Sequence, residues 1–245
     1  MVIIACYQLA EIGTSSQQGQ TVYERLRDAA GEDDNQKKPR QTAKKQADNS
    51  GQFDYRKVKI DFDALKKMNE DITGWIRFDQ NGIDYPVLKG RDNEEYLHIL
   101  PDKTKNAAGS IFMDYLSSSD FSDSHTILYG HNMKNLSMFG RLKQYRTTEG
   151  YYEDNRYFTI YTPDQIFRYE IFAWYEADAA DPVYQVEFTD EEAFGAFVDQ
   201  MLERRYRDTG VTADRQDKIV TLSTCSTEGK RLIVHGKQTD ACLPR

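Results

Sequence analysis

From about residue 70 onward the chain is built from short apolar runs separated by turn residues. Gly74 to Phe78, Ile83 to Leu88, Ser110 to Met113, Thr126 to Tyr129, Tyr157 to Tyr161, Phe167 to Trp174, Lys218 to Leu222 and Leu232 to Gly236 are rich in β-branched and aromatic residues. Runs of that kind between turn signals predict strands, and many short strands at this spacing predict a barrel or sandwich rather than a parallel α/β sheet. Helical spacing recurs at three places. Val22, Leu26 and Ala29 predict a short amphipathic helix from Thr21 to Ala30. Asp61 or Asp63 can cap a second helix that runs to about Asn69 with Phe62, Leu65 and Met68 on one side. Thr189 followed by Glu192 predicts a capping box ahead of Ala193, Phe194, Phe197, Val198, Met201 and Leu202. That helix should pack on the sheet as a long insertion between strands.

Between Gly31 and Gln52 the chain is almost wholly polar and charged and has no core formers, which predicts a flexible linker. The expected organisation is therefore an N-terminal helical segment over 1–30, a charged linker over 31–54 and a folded domain over 55–245. Met1 to Ala10 is apolar but stops at Glu11, short of the roughly 20 residues a bilayer span needs. It is either the remnant of a membrane anchor or a fraying end.

Composition narrows the picture. The chain has 245 residues, 39% of them hydrophobic and 12% aromatic, enough to pack one main domain with an appendage. A net charge of -8 argues against a nucleic-acid partner, which would require a concentrated basic surface. The one dense basic run, Lys37 to Lys45, is expected to be solvated linker. Cys6, Cys225 and Cys242 lie far apart and match neither a zinc spacing nor a disulfide framework. Acidic stretches such as Asp120 to Asp123 lack the order of a calcium loop. No metal and no cofactor are expected.

Ile219 to Cys225 reads as a strand that ends in a cysteine, and Ser226 to Lys230 reads as a turn into Arg231 to His235. If the two strands pair as a hairpin, Cys225 and Arg231 meet at one end of the sheet, and a cation there favours thiolate over thiol. A nucleophilic cysteine also needs a proton carrier, and four histidines compete. His98 lies among apolar neighbours and is expected to pack, His125 lies in a polar loop and is expected to be exposed, and His235 is expected to be a satisfied structural residue. His131 leaves an apolar strand through Gly130, well placed to project over a sheet end. Spacing alone leaves its role open.

Thr221-Leu-Ser-Thr-Cys225 and Tyr129-Gly-His-Asn-Met133 resemble the signature segments of class B sortases. Asp63 to Asn69, Gly74-Trp-Ile76, Ile83 to Val87, Gly109 to Asp114 and Ser137 to Gly140 resemble the same family in the same order, from about Phe62 to Lys237. The resemblance implies a mainly β fold, a closed eight-stranded sortase-type β-barrel with N-terminal helices and a helical insertion over Glu191 to Tyr206 before the cysteine strand. It implies a cysteine transpeptidase in which Cys225 attacks the bond after the threonine of a sorting signal and forms a thioester. His131 would be the general acid and base, and Arg231 would hold substrate and stabilise the oxyanion. Ser223, Asn93 and Leu97 match positions lining the peptide groove. The partners implied are a sorting-signal peptide and an amine of peptidoglycan or of a pilin subunit. The implied location is the extracytoplasmic face of a Gram-positive membrane, reached through an N-terminal anchor mostly missing from this sequence. The gap from Cys225 to Arg231 is shorter than in many relatives, with Lys230 the nearest substitute cation. Hydrolysis by water on the same fold, and a wall-binding module without catalysis, are the competing functions.

Overall fold

The structure, a computed structural model, describes residues 17–31, 53–226 and 229–244. The apolar opening at 1–10 and most of the polar stretch, 32–52, lie outside the described residues. Helix α1 spans residues 17–29 and buries Val22, Tyr23 and Leu26 in the main core. The Tyr23 hydroxyl donates to the Gly109 carbonyl at 2.6 Å, so α1 packs against the barrel. Helix α2 (Phe62–Met68) is capped by Asp61, whose side chain accepts the Ala64 N–H at 2.8 Å.

All eight predicted strands are present: β1 (Ile72–Phe78), β2 (Asp84–Lys89), β3 (Ile111–Met113), β4 (His125–Tyr129), β5 (Tyr157–Tyr161), β6 (Ile166–Ala177), β7 (Ile219–Cys225) and β8 (Arg231–Cys242). Short helices α3 (Gln144–Thr147) and α4 (Tyr151–Asp154) precede β5. The strands close a barrel in the order β1-β2-β3-β4-β7-β8-β6-β5. Most neighbours run antiparallel, but β2 with β3 and β4 with β7 are parallel. β8 is far longer than its apolar stretch. Lys237 to Asp240 carry no hydrophobic signal, yet they continue the ladder against β6 from Glu170 to Arg168.

Helix α5 (Glu191–Arg204) lies in the long connection between β6 and β7. Its cap is Asp190, whose carboxylate accepts the Ala193 N–H at 2.8 Å, in place of the Thr189 box. Asp190 and Thr189 are both capable caps, and the extended backbone at Asp190 puts its oxygen over the first turn.

β7 divides its side chains between two cores, as a pleated strand must. Val220 and Leu222 join the larger core, with Trp75, Ile76 and Phe158. Ile219 joins a second layer with Ile233 and Phe172 of the sheet and Phe194, Phe197, Val198 and Met201 of α5. Thr221, Ser223 and Cys225 share the face of Ile219, so the sequence Cys225, Ser223, Thr221 runs from the barrel rim down under the α5 insertion. Among the described residues no helix is long and apolar enough to cross a membrane.

Candidate active site

Cys225 ends β7 and is exposed. Directly across the β7–β8 hairpin its partner is Arg231, and residues opposed in this way generally have Cβ atoms about 5 Å apart. Arg231 is half-buried, and among the described residues its guanidinium makes long contacts, 3.4 Å to the Gly229 carbonyl and 3.5 Å to that of Lys230. Lys230 is committed elsewhere, to Asp178 at 2.7 Å. Among the described residues Arg231 is therefore the cation left available beside the thiol.

His131 arrives by a different route. β4 runs parallel to β7 with Tyr129 opposite Ser223, and the Gly130 N–H donates to the Ser223 carbonyl at 3.1 Å. Two further residues along each chain lead from Tyr129 to His131 and from Ser223 to Cys225. The next residue ties the two together, because the Asn132 side-chain amide donates to the Cys225 carbonyl at 2.8 Å. Gly130 is needed for this passage, because a Cβ there would stand 2.4 Å from Ile111 Cδ1 and 2.7 Å from Phe139 Cδ2.

The His131 Nε2 lies 2.7 Å from the Leu97 carbonyl. A carbonyl only accepts, so Nε2 carries the proton and the neutral ring keeps its lone pair on Nδ1. His98, expected to pack internally, is exposed and stacks on His131 with ring centres 5.3 Å apart and planes 16° apart. The loop that ends in the Leu97 carbonyl brings it there. Gly109 in turn leaves room for that carbonyl: its φ is +53°, and a Cβ would sit 2.2 Å from the Leu97 oxygen.

Ser223 accepts or donates a 3.0 Å hydrogen bond with the Tyr184 hydroxyl. Tyr184 also stacks on Tyr129, with ring centres 6.2 Å apart. Burial raises the Tyr184 phenol above its ordinary value, with the Ser223 hydrogen bond and the charge of Arg231 opposing. Asn93 spends its amide on the loop after β3: Nδ2 donates to Asp114 at 2.8 Å and Oδ1 accepts the Tyr115 N–H at 3.0 Å. Leu97 faces the site with its carbonyl, while its side chain is partly buried against the main core.

Beyond the thiol, Ser226 donates to Glu176, which also pairs with Arg146. The Ser226 hydroxyl, with help from Arg146, holds the Glu176 carboxyl below the usual range against a smaller effect of burial. Sequence reasoning assigned no role to Asn132, Tyr184 or Glu176. Asn132 was within reach, since it follows His131 inside the Tyr129-Gly-His-Asn-Met133 segment. Tyr184 and Glu176 come from a turn and a strand end with no distinguishing pattern.

His125 corrects the expectation of an exposed loop residue. It is the first residue of β4 and fully buried, with Phe188 and Phe197 against its ring. The covering layer is supplied by the insertion that carries α5. His235 is fully buried and hydrogen-bonded on both nitrogens, as a structural histidine should be.

In the closed eight-stranded barrel, one strand ends in Cys225 with Arg231 across the hairpin, and the loop carrying His131 is tied to the Cys225 carbonyl. The sortase domain family matches residues 76–239. Sortase B of Listeria monocytogenes is 34% identical over 184 residues, covering 74% of each chain. The crystal structure of sortase B from B. anthracis superimposes with a TM-score of 0.77 at 28% identity, covering 94% of this chain and 100% of that one. A Staphylococcus aureus sortase B–substrate complex matches with a TM-score of 0.69 at 30% identity, covering 73% of this chain and 84% of that one. The chain belongs to the sortase family, as a class B member. It is accordingly a cysteine transpeptidase of the kind that acts at the Gram-positive cell envelope.

Proposed function

We propose that Cys225 is the nucleophile of a transpeptidation that cuts a C-terminal sorting signal after its threonine and passes the acyl group to an amine of peptidoglycan or of a pilin subunit. The Cys225 sulfur attacks the threonine carbonyl, forming a thioester and breaking the peptide bond. His131 Nδ1 takes the thiol proton and gives it to the departing amine; it then takes a proton from the incoming amine, whose attack breaks the C–S bond, and returns it to the Cys225 sulfur. The Leu97 carbonyl holds Nε2–H throughout, keeping Nδ1 directed to the chemistry and stabilising the imidazolium. Arg231 stabilises the oxyanion of each tetrahedral intermediate through a fixed, charged fork of donors.

Ser223 and Tyr184, hydrogen-bonded to each other below the thiol, form one wall of the peptide groove, with the Leu97 and Asn93 loop opposite. The single observation carrying this reading is the Asn132 to Cys225 hydrogen bond at 2.8 Å, which joins the histidine loop to the nucleophile's own backbone. The S. aureus sortase B solved as a substrate complex supports a substrate-binding groove on this fold. The same reading puts the enzyme on the extracytoplasmic face of the membrane, held by an N-terminal anchor.

A quenched sorting peptide tests it, with mass analysis of products in the presence and absence of a peptidoglycan-like amine. Wild type should release the C-terminal fragment and ligate the amine, and Cys225→Ala should do neither. Equal slow cleavage by both would end the assignment of Cys225. Free acid as the sole product with amine present would make the enzyme a peptidase.

A further inference from the structure

Under the α5 insertion, five groups from five segments make one unbroken row of hydrogen bonds: the Tyr175 hydroxyl, both nitrogens of His235, the Thr221 hydroxyl, both nitrogens of His125 and the Gln185 carbonyl. The successive separations are 2.9, 2.8, 2.6 and 2.7 Å. Both imidazoles and Thr221 have no exposed surface. Nothing in the proposed chemistry uses them.

The direction of every proton follows from one end. The Gln185 carbonyl only accepts, so His125 Nδ1 donates to it. A neutral His125 then has its lone pair on Nε2, and Thr221 must donate there. Thr221 has no second proton, so its oxygen accepts from His235 Nδ1. That leaves His235 Nε2 as an acceptor, filled by the Tyr175 hydroxyl. Each donor and acceptor is used once, and no alternative ordering satisfies the row with both rings neutral.

The row ends at a place that matters. Gln185 directly follows the short 3-10 turn Pro182–Tyr184, and Tyr184 is the ring bonded to Ser223 and stacked on Tyr129. Thr221 lies two residues before Ser223 on the same face of β7. One side of the turn is held to α5 by Asp181, paired with Arg204 through two bonds of 2.8 Å. The other side is held to the barrel by the His125 bond to the Gln185 carbonyl.

We propose that the Tyr175–His235–Thr221–His125 row is a positioning device for the peptide groove, setting the turn that places Tyr184 over Ser223. The inference rests on the groove assignment above. These four are positioning residues, because none of them reaches the thiol. Their effect should fall on peptide binding and spare the chemical step.

Thr221→Val keeps the shape of the side chain and removes the one hydroxyl that both accepts and donates in the row. Because a buried hydrogen bond is lost on each side of it, KM for the sorting peptide should rise about tenfold while kcat stays within about twofold. Thr221→Ser should restore the wild-type KM. A role confined to stability would lower the melting temperature and leave KM unchanged, and that result overturns the proposal. A second measurement needs no turnover. In protein labelled with 3-fluorotyrosine, the Tyr184 resonance, assigned by its loss in Tyr184→Phe, should move in Thr221→Val and return in Thr221→Ser. A resonance that does not move overturns the positioning role even if the peptide chemistry is correct. Absence of cleavage by wild type would instead refute the groove assignment. Should Thr221→Val fail to fold, Tyr175→Phe removes only the end donor and is measured in the same two ways, with a smaller KM rise in the same sense.

Discussion

Mild acid should destabilise this protein through its two buried histidines, ahead of the carboxylates that are held below their ordinary values. Burial pushes His125 down to about 4 from an ordinary value of 6.5, with the Gln185 carbonyl and the charges of Asp114 and Asp123 opposing. Burial also drives His235 well below its usual value, reinforced by the charges of His125 and Arg204. In the folded state both rings are neutral, whereas in the unfolded chain they gain a proton as pH falls through 6.5. The unfolded state then binds more protons, so stability is full above about pH 6.5 and is lost as pH falls toward 4. Between pH 6.5 and 5 the loss through His125 alone is about 2 kcal/mol, and His235 adds in the same direction. That is a sizeable part of a typical domain stability of about 5 to 15 kcal/mol. Asp181, Asp240 and Glu176 are held below their ordinary values, so their contributions are present above about pH 4.5 and lost only below it. The window from 6.5 to 5 therefore belongs to the histidines. Urea denaturation at pH 7.5, 6.5, 5.5 and 5 should show the midpoint falling steadily below 6.5. A midpoint constant over that range would refute the burial argument for both rings.

Arg231→Lys keeps a cation but loses the fork of donors, and kcat for peptide cleavage should fall about a hundredfold or more; a change under about threefold would remove Arg231 from oxyanion stabilisation. Gly109→Ala forces a side chain into a backbone at φ +53° and onto the carbonyl that holds His131, so it should destabilise the fold by about 1 to 3 kcal/mol and lower kcat in the fraction that remains folded. Melting curves and cleavage rates measured together check both parts. Asn132→Ala should lower kcat and leave KM for the peptide near wild type, since it removes the tie between the histidine loop and the Cys225 carbonyl; a pure KM effect would count against that role. Among the described residues no three His, Cys, Asp or Glu side chains gather as a metal site, so exhaustive chelation should leave the rate unchanged, and a loss of activity would contradict the metal-free chemistry.

Wherever a feature depends on residues close in sequence, the amino-acid pattern was enough. The eight strands, the apolar stripe of α5 and the meeting of Cys225 with Arg231 across a short hairpin all come from periodicity and turn chemistry acting within about a dozen residues. Even there, degeneracy left a choice: neighbouring cap residues Thr189 and Asp190 were separated only by the backbone entering α5. What the sequence could not determine is which strands become neighbours when far apart. Parallel pairing of β4 with β7 carries no local signal, yet it is the contact that brings the loop carrying His131 to the end of β7 and the Asn132 amide to a carbonyl 93 residues away. Burial is likewise a tertiary property. His125 sits among polar residues in the chain and becomes a fully buried link only because the insertion bearing Gln185, Phe188 and α5 folds over it. Local propensity acts along the chain, whereas neighbours and solvent exclusion are decided only when the barrel closes and its second layer covers the outer face of β7.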